Sequence, residues 1–155
     1  MNIELSSGSS AITEIIASKI GDHLKGGEVI VLISELGGGK TTFTHGLAKA
    51  IGSKDRVASP TFTISRLYNG EKLDIYHFDF YRLNEAGLMK HELNDVLFNP
   101  KNVVVIEWPE VVSDVIPEEY LKVEIINIDD TTRKLLFTYP KSLSYLMSEY
   151  VDTSS

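Results

Sequence analysis

The residues with the clearest chemical potential are Ser34-Glu35-Leu36-Gly37-Gly38-Gly39-Lys40-Thr41, directly behind the apolar run Val29-Ile30-Val31-Leu32-Ile33. This arrangement follows the phosphate-binding pattern G-x-x-x-x-G-K-[ST], in which a glycine-rich backbone turns its N–H groups inward around phosphate oxygens. Lys40 is placed to put an ammonium on the β- and γ-phosphates, and Thr41 to offer a hydroxyl to a bridging Mg²⁺. The first glycine of the pattern is replaced by Ser34. If that position needs φ > 0, serine meets a steric penalty that glycine escapes.

Such a loop also needs carboxylates across from it, to hold the cation or orient a water, at the carboxyl ends of neighbouring strands. Glu107 ends the run Val103-Val104-Val105-Ile106 and so fits that place. Asp79 closes a second strand, in which Ile75, His77 and Asp79 alternate onto one face. Ser59-Pro60-Thr61-Phe62-Thr63 is a hydroxyl-rich loop in which Thr61 or Thr63 could sense a γ-phosphate; it also reads as a plain lead-in to a strand. His77 reads as a packed strand histidine, because no second histidine or cysteine stands at metal-ligand spacing. Trp108 fits packing over the sheet edge or stacking on a partner.

These groups must be positioned by secondary structure that the sequence also outlines. Ile12, Ile15, Ile16, Ile20 and Leu24 form a helical stripe behind Ser9-Ser10, which suits an N-cap, and Gly26-Gly27 ends it. Phe43, Leu47, Ala50 and Ile51 repeat at helical spacing from Lys40, so the loop delivers its ligand to a helix N-terminus. Thr63 to Tyr68 and Lys72 to Phe80 read as strands joined by a tight Asn69-Gly70 turn. Residues 84 to 100 read as short helical turns, Val103 to Ile106 as a strand buried on both faces. Two strands near 121–128 and 133–139 precede a short helix at 141–150. The expected fold is α/β: a P-loop NTPase-like, three-layer arrangement with a central mixed, largely parallel sheet and an inserted β-hairpin, in one domain over residues 1–155.

Composition narrows the function classes. With no cysteine, disulfides, thiolate nucleophiles and cysteine zinc sites are excluded. The formal net charge of −7 argues against a direct grip on nucleic acid, so any RNA-related role needs a partner. The stretch Glu107 to Asp130 holds eight acidic residues and one lysine, Lys122, which reads as a solvated face. Its N-terminus lacks a basic segment followed by an apolar one, and apolar runs are only a few residues long; the expected location is cytosolic.

Four pieces together resemble the TsaE family of bacterial ATPases required for threonylcarbamoyladenosine synthesis on tRNA. They are Leu36 to Phe43, Ser59 to Thr63, His77-Phe78-Asp79-Phe80-Tyr81-Arg82-Leu83 and Glu107-Trp108-Pro109-Glu110, matching in order and spacing over residues 10 to 135. The resemblance implies a small ATPase that binds ATP and Mg²⁺ and works with two paralogous actin-like-fold proteins, meeting tRNA only through that complex. It implies that Lys40, Asp79 and Glu107 act in catalysis, with Thr41, Asp79 and Glu107 at Mg²⁺. It further implies that Leu36, Gly37, Gly38, Gly39, Thr42, Thr61, Ser10 and Arg133 lie near the nucleotide. Besides Ser34, the chain departs from the family in Glu85 to Leu97, where His91-Glu92-Leu93-Asn94-Asp95 replaces the usual leucine-glycine step.

Two other functions share these features. A small-molecule kinase on the same fold would need an arginine-bearing lid, and the four arginines, Arg56, Arg66, Arg82 and Arg133, are widely separated. A nucleotide-gated binding module would differ from an ATPase only in turnover. A GTPase is disfavoured, because the chain has no Asn-Lys-x-Asp guanine-recognition sequence.

Overall fold

A computed structural model describes residues 1–35, 37–60, 64–83 and 87–151. Leu36 and Thr61, both expected at the site, lie outside the described residues, as do Phe62 and Thr63. Seven strands form one sheet in the order β1-β7-β6-β2-β5-β4-β3. They are β1 Asn2–Ser7, β2 Val29–Ile33, β3 Ser65–Asn69, β4 Asp74–Asp79, β5 Asn102–Glu107, β6 Leu121–Asn127 and β7 Arg133–Thr138. The four inner strands β6, β2, β5 and β4 run parallel, and antiparallel pairs finish both edges.

Helices cover both faces, as the three-layer expectation requires. On one face α1 (Ser10–Gly21) and α2 (Lys40–Ala50) bury Ile16, Ile20, Phe43 and Leu47 against Ile30, Leu32, Val103 and Val105. On the other, α3 (Leu88–Val96) and a 3-10 helix at Pro109–Val112 bury Leu93, Val96 and Val112 against Val31, Phe78, Val104 and Ile106. Every residue of β5 is buried, which explains why its middle, Val103 to Ile106, is continuously apolar rather than alternating. No helix among the described residues is long and apolar enough to cross a membrane.

The structure corrects several expectations. A first strand, Asn2–Ser7, pairs with β7 ahead of the helix where the sequence reading began. The helix α1 stops at Gly21, and Ile12 and Ile15 face solvent, because α1 sits so close to α2 that only a narrow stripe fits between them. Asn69-Gly70 is not a two-residue turn: Asn69 pairs with Asp74, leaving residues 70–73 as the connection. Neither residue has positive φ. Glycine is needed at 70 because a Cβ would stand 2.3 Å from the Leu73 carbonyl oxygen and 2.6 Å from that of Ile51. The inserted hairpin is present as expected, and its strand β4 is hydrogen-bonded to β5 within the sheet. The last helix is a 3-10 segment at Lys141–Met147.

Close packing of α1 on α2 depends on Gly46, where a Cβ would lie 2.4 Å from the Glu14 carbonyl oxygen and 2.7 Å from Ala17 Cβ. Helix propensity alone favours Gly46→Ala by about 1 kcal/mol. Overpacking against rigid backbone opposes it by about 1–3 kcal/mol, and overpacking wins. The expected outcome in thermal unfolding is a lower melting temperature for Gly46→Ala; a higher one would mean that the helices are not in this close contact.

Candidate functional site

The loop after β2 begins the site. Gly37 and Gly39 have φ of 77° and 110°, where a side chain is strained, and Gly38 has no room for a Cβ, which would lie 2.4 Å from Ser34 Oγ. Ser34 is not among the residues with positive φ, so serine there carries no backbone strain. Its carbonyl accepts a hydrogen bond from Lys40 Nζ at 3.3 Å and its hydroxyl donates to the Glu35 carbonyl at 2.8 Å. At the start of α2, Gly39 occupies the cap position and provides no side chain to meet the first N–H groups. These donors are the anion-attracting end of the helix.

Strand register delivers the carboxylates. Leu32 on β2 pairs with Glu107 on β5, and Glu107 with Asp79 on β4, so the loop and both acids emerge together at the carboxyl ends of the inner strands, on the face covered by α1 and α2. Both acids are buried. Glu107 Oε1 is 3.6 Å from Lys40 Nζ, with those side chains only 3% and 7% exposed, and Glu107 Oε2 accepts a hydrogen bond from His77 Nε2 at 2.5 Å. Burial of charges on this scale requires such partners. Asp79 Oδ1 accepts from the Tyr81 N–H at 2.9 Å, and that turn sets the Tyr81 ring 4.9 Å from the ring of Trp108. Lys40 Nζ lies 4.8 Å from the Trp108 ring, whose buried indole N–H has no hydrogen-bond partner among the described residues.

Two cavities, here called lobes, share Gly37, Gly38, Gly39 and Thr42 in their linings. One, of about 350 Å³, is lined further by Lys40, Thr41, Ser59, Asp79 and Glu107. The other, of about 310 Å³, runs to Ser9, Ser10, Thr13, Asp130, Thr131 and Arg133. Ser10 and Arg133, far apart in sequence, therefore meet at the loop's far side. Arg133 Nη1 donates to the carbonyls of Asp129 and Thr132, at 2.8 and 3.1 Å. The backbone N–H groups of Thr131 and Thr132 hold the Asp129 carboxyl below its ordinary pKa and fix the turn that carries Arg133.

Comparison with known proteins gives this arrangement a family. The model described as "Threonylcarbamoyl adenosine biosynthesis protein TsaE" matches residues 7–135. The chain belongs to the TsaE family. A TsaE of Bacillus subtilis named for tRNA threonylcarbamoyladenosine biosynthesis is 37% identical over 127 residues, covering 81% of this chain and 78% of that protein. The Haemophilus influenzae TsaE of the same description is 36% identical, over 70% of this chain and 68% of its own length. Among solved structures, Bacillus subtilis YdiB superposes with a TM-score of 0.79 at 31% identity, covering 96% of this chain and 93% of that one.

In this TsaE chain, sequence reasoning missed Ser9, Thr13, Asp130 and Thr131 as cavity lining. Ser9 and Thr13 are drawn in because Ser7 Oγ bonds both the Ser9 carbonyl, at 2.8 Å, and Thr13 Oγ1, at 2.6 Å. No motif marks this contact. His77, expected merely to pack, instead supports Glu107.

Trp108, the sole tryptophan, touches the ammonium that a triphosphate would recruit. Its emission should change saturably on addition of Mg²⁺–ATP to the parent, and not on addition to Lys40→Ala. Equal responses from the two proteins would place the nucleotide elsewhere.

Proposed function

We propose that this chain is a Mg²⁺-dependent ATPase required for threonylcarbamoyl modification of the adenosine next to the anticodon in tRNAs reading codons that begin with A. The observation that carries this reading is the pairing of Asp79 with Glu107 across from Lys40 and Thr41 in one lobe. Two carboxylates and a hydroxyl form an all-oxygen donor set, which suits Mg²⁺ completed by phosphate oxygens. The cation, when bound, would neutralise charge developing on the transferring phosphoryl group.

The chain's own groups divide the work. Backbone N–H groups from Gly37 to Thr42 cradle the phosphates, Lys40 leaves Glu107 and Ser34 to meet the β- and γ-phosphates, and Thr41, Asp79 and Glu107 hold the cation. Leu36 and Thr61 belong to the same nucleotide contacts by family resemblance. The second lobe, with Ser10 and Arg133, receives the nucleoside. Among the described residues, no arginine lines the Asp79–Glu107 lobe, which favours a slow ATPase over a kinase with its own lid.

The TsaE relatives are named for a tRNA modification, whereas this chain carries a net charge of −7. Contact with tRNA therefore runs through the two paralogous actin-like-fold partners, with ATP resetting the assembly from a cytoplasmic site of action. A partner that covers the Asp79–Glu107 lobe would exclude water and complete the site.

Lys40→Ala should weaken binding of a fluorescent ATP analogue by roughly ten- to a hundredfold, the equivalent of a charge-assisted contact of about 1.5–3 kcal/mol. Asp79→Ala and Glu107→Ala should retain most of the binding and lose hydrolysis, because they act on charge in the transition state. Unchanged affinity in Lys40→Ala, or parent hydrolysis rates in both carboxylate variants, would refute the assignment.

A further inference from the structure

A line of buried polar side chains leaves the site by a route that phosphate chemistry does not require. Glu107 Oε2 accepts from His77 Nε2 at 2.5 Å, His77 Nδ1 is 3.3 Å from the Tyr68 hydroxyl, and that hydroxyl donates to the Ala58 carbonyl at 2.9 Å. The Ala58 N–H in turn donates to the Tyr68 oxygen at 3.4 Å. Ala58 is the residue before Ser59, where the hydroxyl-rich loop opens. The far end of that loop is also tied to the acids: Asp79 N–H donates to the Ile64 carbonyl at 2.8 Å, and Ile64 N–H to the Pro60 carbonyl at 2.6 Å. Ile64 has φ of 71°, a strained setting for a β-branched residue and one that surrounding contacts must hold.

Proton bookkeeping makes the tyrosine hydroxyl the sensitive member. A carboxylate can only accept, so His77 Nε2 carries a hydrogen. With His77 neutral, Nδ1 and the Ala58 carbonyl both face a hydroxyl that has one proton to give, and the shorter contact is to Ala58. Burial raises the phenol above its ordinary pKa, in keeping with a protonated donor. Tyr68 and His77 are 1% and 0% exposed, so they depend on one another for hydrogen bonding rather than on bulk water.

We propose that His77 and Tyr68 are positioning residues that couple the Glu107 carboxylate to the backbone at Ala58 and Ser59, so that ligand occupancy at the acids and the hydrogen bonding of Ala58 change together. Movement of the carboxylate shifts the His77 donor, which changes the acceptor that Tyr68 serves and thereby fastens or frees Ala58. This inference rests on the ATPase reading and deepens it by assigning the connection between the cation site and the Ala58 backbone.

The test uses the full chain, its close variants Tyr68→Phe and His77→Gln, and the non-hydrolysable analogue AMP-PNP with Mg²⁺. In the parent, the analogue should alter amide hydrogen exchange at Ala58 and Ser59. Either variant should bind the analogue with parent affinity, lose that exchange response, and show kcat reduced about tenfold with KM nearly unchanged. A purely structural pair would lower the melting temperature and leave the exchange response and the kcat-to-KM split untouched. Parent protein that binds AMP-PNP without any exchange change at Ala58 overturns the coupling, with no variant needed. So does a folded variant of either kind that keeps both the response and kcat. Parent protein that fails to bind AMP-PNP overturns the ATPase reading itself.

Discussion

The buried meeting of Lys40, Glu107 and His77 is the interaction on which the rest of the site depends. An ammonium and a carboxylate with almost no exposure are tolerable only while each has its partner, because an unpaired buried charge is far more costly than the pair. Glu107 satisfies both neighbours at once, one oxygen toward Lys40 and the other toward His77. Three separate stretches of chain are thus fixed against each other by one side chain.

Parallel pairing is what makes this meeting possible. Strands β2, β5 and β4 run in the same direction, so their carboxyl ends coincide, and the register Leu32–Glu107–Asp79 places the loop and both acids in one row. A slip of one residue in β5 would turn Glu107 to the opposite face and leave the loop without its carboxylate. The buried polar ends of β5 resist that slip, because it would take Asn102 from the Val96 carbonyl and Glu107 from His77 and Lys40.

How much of this the sequence disclosed follows from how local each signal is. The phosphate loop, the start of α2 and the buried strand β5 were legible because each is written in a few contiguous residues. Asp79 and Glu107 were legible because each closes a strand. The strand β1 was not: only Ser7 in it is buried, and its hydrogen-bonding partner is the distant β7. Ile12 and Ile15 extended a convincing stripe that the tight α1–α2 approach leaves outside the core. Gly70 signalled a left-handed turn, but it is there for space. Tyr68 and His77 carried no signal of their alliance with Glu107, since only tertiary structure brings positions 68, 77 and 107 together.

The proposed Mg²⁺–nucleotide site runs from the acids past the glycine loop to Ser10 and Arg133. The most direct measurement is a crystal structure of the chain with AMP-PNP and Mg²⁺. The expected result is phosphates on the Gly37 to Thr42 backbone, the cation beside Thr41, Asp79 and Glu107, and the nucleoside against Ser10 and Arg133. A nucleotide bound away from the loop, or a cation held without either carboxylate, would contradict it.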